Sequence, residues 1–188
     1  MKYKFADRVE RIQPSFTLQM ATIASEMKSK GVDVINFSVG EPDFNTPSHI
    51  IDAGKEAMDN GYTKYTAGPG MIEFREAICQ KLERENGIVY KIENILVSNG
   101  EKQSLSTACQ ALFEQGDKVI VFKPYWVSFP EFVRLADAEP LLIKTIPENN
   151  FEPDFEDLMS NNLDDVKGLI LNSPSNPTGG IWSADALI

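Results

Sequence analysis

Val119-Ile120-Val121-Phe122-Lys123-Pro124-Tyr125-Trp126 sets the reading of the whole chain. Its first four residues form a continuous apolar run rich in β-branched side chains, the pattern of a strand buried on both faces. A Lys-Pro pair ends the run, and Phe129, Phe132, Val133 and Ala136 then recur at the spacing of one helical face. Residues 141–146 and 169–171 supply two further strand-like runs. Upstream, residues 92–98 read as a strand, Asn99-Gly100 as a turn, and Leu105, Ala108, Cys109 and Leu112 as a helical stripe that Gly116-Asp117 interrupts. Strands thus alternate with helices. Alternation of this kind predicts an α/β layered domain around a largely parallel sheet, with loops at the carboxyl ends of the strands building the binding site.

The first hundred residues are also segmented. Ser15 caps a predicted helix with Met20, Ile23, Ala24 and Met27 on one face, and Gly31 stops it. Residues 32–39 read as a strand. Thr46 as N-cap and Pro47 at the first helical position predict a second helix ending near Asn60-Gly61. Met71, Phe74, Ile78 and Leu82 mark a third, closed by Asn86-Gly87. A boundary is expected near Asn45, giving residues 1–45 and 46–188 as separate parts.

Composition narrows the function classes. With 188 residues and 42% apolar content the chain has material for a core. Its formal charge of -10 and the lack of a basic patch argue against nucleic acid and against anionic membrane surfaces. No apolar run is long enough for a bilayer, and Met1-Lys2-Tyr3-Lys4-Phe5 lacks the apolar centre of a secretory signal, so a cytoplasmic location is the expectation. Cys79 and Cys109 form no Cys-x-x-Cys pair and His49 is the sole histidine, so neither a disulfide nor a metal site is expected. Each cysteine reads as a small buried hydrophobe, and His49 as a surface or capping residue.

Four loops follow strands: Gly40-Glu41-Pro42-Asp43-Phe44, Ser98-Asn99-Gly100-Glu101-Lys102-Gln103, Lys123-Pro124-Tyr125-Trp126, and Asn172-Ser173-Pro174-Ser175-Asn176-Pro177-Thr178-Gly179-Gly180. In a parallel sheet they would emerge along one edge. The second opens a helix, whose N-terminal dipole suits a phosphate, although Glu101 suits one only if its carboxylate turns away. Taken alone, Asn99-Gly100 reads as a tight turn sooner than as a phosphate site. Neither the Walker A loop nor the dinucleotide glycine fingerprint is present. Trp126 offers a flat face for an aromatic ligand, with core packing as the competing role. Tyr65 lies in a glycine-rich loop, Tyr65-Thr66-Ala67-Gly68-Pro69-Gly70, with a hydroxyl suited to an anion.

Taken in order, Gly40 to Phe44, Tyr65 to Gly70, Asn99 to Gln103, Pro124-Tyr125-Trp126-Val127-Ser128-Phe129-Pro130-Glu131 and Asn176-Pro177-Thr178-Gly179 resemble the N-terminal half of the class I aminotransferases, closest to the bacterial aspartate aminotransferases. The resemblance runs through nearly all of the chain. It implies fold type I of the pyridoxal-phosphate enzymes: a three-layer α/β/α large domain, present in part as residues 46–188, with residues 1–45 as an N-terminal arm and a segment of the small domain. It also implies pyridoxal 5'-phosphate as cofactor, an amino acid and a 2-oxo acid as substrates, and a homodimer with a shared active site.

By resemblance, Gly100, Glu101 and Lys102 would cradle the cofactor phosphate, Trp126 would stack on the pyridine ring, and Asn176 would bond its phenolic oxygen. Gly40 would face the substrate carboxylate, beside Trp126 and Asn176. Tyr65 would reach the phosphate held by the other protomer, and Ser15, Phe16 and Thr17 would lie near the substrate side chain. Lys123-Pro124 and Asn176-Pro177 are candidates for cis bonds. The Schiff-base lysine, the acidic group on the ring nitrogen and the carboxylate-clamping arginine would fall beyond Ile188, so no catalytic residue is expected within the chain and residues 1–188 alone are expected to be inactive and poorly stable. The alternatives are another fold type I enzyme, a carbon-sulfur lyase or decarboxylase, or a noncatalytic fragment.

Overall fold

A computed structural model describes residues 3–38 and 40–188, leaving Met1, Lys2 and Val39 outside the described residues. In chain order, helices α1 (Asp7–Glu10) and α2 (Phe16–Ser29) precede α3 (Ser48–Asp59), α4 (Ile72–Asn86) and α5 (Glu101–Leu112). Strand β1 (Lys118–Phe122), helix α6 (Phe129–Leu135) and strand β2 (Glu139–Ile143) follow, then β3 (Thr145–Ile146), β4 (Glu152–Pro153), α7 (Phe155–Met159), β5 (Val166–Ile170) and α8 (Ala184–Leu187). The chain divides into two compact units, Met1–Ser38 with Glu101–Ile188, and Val39–Gly100.

The first unit is built on a parallel three-stranded sheet in the order β2-β1-β5. Val119 and Val121 point to one face of β1, where α5 and α6 cover them with Cys109, Phe129, Phe132, Val133 and Ala136. Val119 is 0% exposed, and burying a side chain of this size contributes about 1.5–3 kcal/mol. The same burial raises the Cys109 thiol above its ordinary pKa. Gly168 of β5 lies under the Phe113 ring, where a Cβ would come within 2.8 Å of Phe113 Cζ. The unbroken apolar run thus becomes the central strand, as its pattern requires.

Residues 141–146 do not form one strand. β2 ends at Ile143, because the Lys144 N–H donates to the Asp157 carboxylate at 2.9 Å, and residues 145–146 join a separate antiparallel pair with β4. Residues 32–38 pair with no strand among the described residues. The Val32 N–H bonds back to Met27 at the end of α2, and Ile35 and Phe37 stand exposed. Ser15 caps α2 as its sequence requires, accepting from the Leu18 N–H at 3.3 Å.

The second unit holds α3 and α4. α3 begins one residue later than Thr46 and Pro47 imply: Pro47 is the N-cap, and its carbonyl accepts from Ile50 and Ile51. His49 lies exposed in the first turn. α4 closes on Gly87 at φ +67°. Residues 92–98 are not a strand, since Ile92–Asn94 form a 3-10 turn. The carbonyls that a ladder would need are taken by Arg75, whose guanidinium donates to Ile92 O at 2.7 Å and Ile95 O at 3.1 Å. Gly70, at φ +105°, sits so close to Val97 that a Cβ there would meet its Cγ2 at 2.7 Å.

Candidate active site

β1 and β5 are parallel neighbours with Val121 opposite Ile170, so the segments after Phe122 and Ile170 leave the same edge of the sheet. The Lys123-Pro124 bond is cis, and this corner is tied to the strand beside it: Lys123 N–H donates to Ile143 O at 2.8 Å, and Thr145 Oγ1 donates to Lys123 O. Trp126 comes next. Its ring stands edge-on to Phe129 at 5.4 Å and to Phe132 at 5.9 Å, both core residues, while its carbonyl accepts from the Phe129 N–H. Packing and presentation therefore coexist in this residue. One edge is fixed by the core, and the ring is half-buried with the Lys102 ammonium 5.1 Å from its centroid, a cation over a π face.

The loop after β5 is built by its own short side chains. Asn172 Oδ1 accepts from the Asn176 N–H at 2.7 Å, Ser175 O accepts from Gly179, and Gly180 O accepts from Ser175. Asn176-Pro177 is cis, as is Ser173-Pro174, which the sequence had not marked. These bonds occupy the backbone of Asn176 and leave its side chain on an exposed residue. Trp182, absent from the sequence-based candidates, anchors the loop from behind. It is 8% exposed, its indole N–H donates to Phe151 O at 2.8 Å, and its backbone N–H donates to Ser173 Oγ. Asn172, Ser175 and Asn176 meet Pro124 and Tyr125 around a cavity of about 20 Å³, room for about one water. The two loops do converge.

A larger crevice of about 680 Å³ opens beside Trp126, within the usual range for small-molecule sites. Ser15, Phe16 and Thr17 line one side of it, and Lys102, Tyr125 and Trp126 another. Arg134 also faces it, paired with Glu131. Glu101 is the first residue of α5, where a carboxylate complements the helix dipole, and it is exposed. Gly100 precedes it at φ +81°, a conformation that favours glycine, with nothing within 4 Å of a would-be Cβ.

The structure therefore brings Lys102, Trp126 and residues 15–17 around one crevice, and Asn176 to the neighbouring loop. Gly40, Tyr65 and Gly100 belong to the second unit. There Gly40 has open space around it and Tyr65 is fully exposed.

Residues 32–187 match the family model for aminotransferases of class I and II. An aspartate aminotransferase of Bacillus sp. (strain YM-2) is 44% identical over 187 residues, covering 100% of this chain and 48% of the relative. A probable aspartate/prephenate aminotransferase of Thermus aquaticus is 42% identical, covering 97% and 48%. Among solved structures, the aspartate aminotransferase from Thermus thermophilus with maleate superposes with a TM-score of 0.92 at 40% identity, covering 99% of this chain and 49% of that one. The chain spans about half the length of the curated relatives it matches. A sheet with β2-β1-β5 order, a tryptophan loop and an asparagine loop at its carboxyl edge, and a likeness running the length of the chain agree: this chain belongs to the class I and II aminotransferase family.

Proposed function

We propose that the chain supplies the N-terminal share of a pyridoxal-phosphate-dependent aminotransferase site that exchanges an amino group between aspartate and a 2-oxo acid such as 2-oxoglutarate. The observation that carries this reading is the convergence of the Trp126 crevice and the Asn176 loop on one sheet edge, in a chain 44% identical to an aspartate aminotransferase.

The donor set fits a flat, phosphorylated ring. Trp126 offers an aromatic face that its edge contacts with Phe129 and Phe132 hold still. Asn176 offers a carboxamide to a phenolic oxygen, on a backbone fixed by Asn172. Gly100 offers an open approach at the head of α5, and Lys102 adds a positive charge. Glu101 suits the phosphate through its backbone only, with its exposed carboxylate in solvent. When bound, the cofactor draws electron density from the amino acid's α-carbon and acidifies its proton. The residues named here would hold and orient the ring toward a base, which the reading assigns, with the acidic group on the ring nitrogen and the carboxylate-clamping arginine, to residues outside 1–188.

In the same reading Gly40 lies against the substrate carboxylate, and Tyr65 reaches from one protomer of a homodimer to the phosphate in the other. Residues 1–45 serve as arm and small-domain segment, residues 46–188 as the first half of the large domain, and the enzyme works in the cytoplasm. Among the described residues no helix is long and apolar enough to cross a membrane.

The test is the visible absorption of the complete polypeptide with pyridoxal phosphate, challenged by a panel of amino acids. A band that shifts with aspartate, together with glutamate formed from 2-oxoglutarate, is expected. Ammonia and pyruvate would point instead to a carbon-sulfur lyase, carbon dioxide to a decarboxylase, and a protein that never acquires the band to a noncatalytic scaffold. Trp126→Ala should weaken cofactor binding roughly 2- to 12-fold, the equivalent of about 0.5–1.5 kcal/mol of stacking.

A further inference from the structure

The wall of the Trp126 crevice formed by residues 12–18 is held in an unusual way. Only Ile12 of its apolar side chains is half-buried; Phe16 is 65% and Leu18 68% exposed, so polar contacts carry much of the hold. Just before this segment, Arg11 pairs with one Asp137 oxygen, and Arg8 approaches the other at 4.0 Å. The Gln13 N–H then donates to the Glu131 carboxylate at 3.1 Å. All of these acceptors belong to α6 or its end.

Asp137 occupies a demanding position. The helix closes with Asp137 N–H bonded to Arg134 O and Ala138 N–H bonded to Val133 O, a turn that places its middle residue in the left-handed region, here at φ +63°. Glycine suits that backbone best, and aspartate and asparagine are the tolerated side chains. A carboxylate there, aimed at two arginines, indicates a role beyond closing the helix.

We propose that Asp137 and Glu131 form an electrostatic latch that positions residues 12–18 as one wall of the Trp126 crevice, so that charge pairing sets how firmly the wall closes on a bound amino acid. The statement about the amino acid rests on the aminotransferase reading; the latch itself does not. Asp137 is a positioning residue, acting on the crevice through the arm.

The test is acrylamide quenching of tryptophan fluorescence in the complete polypeptide, with the signal of Trp126 taken as the difference from the same protein carrying Trp126→Phe. Trp182 is buried, with its indole bonded to Phe151 O, and so adds little to the quenchable emission. Asp137→Asn keeps the tolerated backbone and removes the charge. Exposed ion pairs of this kind correspond to roughly a 1.4- to 5-fold change in an equilibrium. Asp137→Asn and Arg11→Gln should each raise quenching with the thermal midpoint little changed, and the double variant should resemble either single one. Salt at about 1 M, where screening acts within about 3 Å, should bring the unmodified chain toward the variants. Quenching unchanged in Asp137→Asn, or effects of the two substitutions that add, would overturn the proposal. The measurement involves neither cofactor nor amino acid, so its failure is distinct from failure of the aminotransferase reading.

Discussion

Gly180→Ala is the sharpest probe of the asparagine loop. An ideal Cβ at Gly180 would lie 2.4 Å from Asn150 O and 3.3 Å from Asn150 C, far inside ordinary contact. Neither side yields cheaply. Gly180 O is held by the Ser175 N–H at 2.8 Å, and Asn150 and Phe151 both sit at positive φ, with Phe151 O taken by the Trp182 indole. One added methyl must therefore displace backbone, a change that costs about 1–3 kcal/mol in packed surroundings. For a chain of this length that corresponds to a fall in melting temperature of roughly 2–12 °C. Gly179 is the control. It lies at φ +73° with nothing within 4 Å of a would-be Cβ, so alanine there costs about 1–2 kcal/mol through its backbone alone.

The two origins separate on a second substitution. Asparagine tolerates the left-handed region, so Gly179→Asn should recover part of the loss, whereas Gly180→Asn should be no better than Gly180→Ala. Urea and thermal unfolding of the four variants give the comparison. A Gly180→Ala variant that melts with the unmodified protein, or a rescue at position 180 by asparagine, would refute the steric argument and with it the claim that the loop carrying Asn176 is seated on residues 150–151.

Two further outcomes follow. The Asp157 carboxyl is held below its usual range, chiefly by the Lys144 N–H and then by the Lys144 ammonium. A lowered folded-state value means stability that is present above the unfolded pKa of about 3.9 and lost as pH falls through the folded value, so Asp157→Asn should flatten the acid limb of the stability profile below about pH 4 while destabilising the neutral protein. Arg75→Met should cost about 1–3 kcal/mol for the Ile95 carbonyl, which loses its donor, and less for that of Ile92, which keeps the Ile95 N–H, read by urea unfolding, whereas Arg75→Lys should lose less.

What the sequence reveals and what it hides differ by range. β1 and α6 are legible because periodicity is local: four apolar residues in a row, then a stripe at three- and four-residue spacing. Ser15 and Gly87 announce their caps for the same reason. Residues 92–98 carry a strand-like composition, yet a guanidinium from α4, 17 and 20 positions away, claims the carbonyls a ladder would use. Proline at position 47 moved the start of α3 by one residue, since its carbonyl rather than the Thr46 side chain serves the first turn. At the site, Trp126 and Asn176 stand out through the prolines and glycines beside them. Trp182 does not, because its importance lies in a bond to Phe151, 31 residues earlier. The Arg11–Asp137 pair spans 126 positions, and no local pattern marks it. An asparagine at position 182 or 137 would have looked equally at home.

The contrast in burial has a kinetic corollary. Among the described residues of Val39–Gly100 only Arg75 is buried, whereas Val119, Ile120 and Val121 are shielded on both faces of a strand paired on both sides. For residues 1–188 on their own in deuterated solvent, amides of α3 and α4 should exchange through small, frequent openings of single helices. Those of β1 should wait for the cooperative loss of the whole sheet, so the two groups would diverge in lifetime and in their response to mild denaturant.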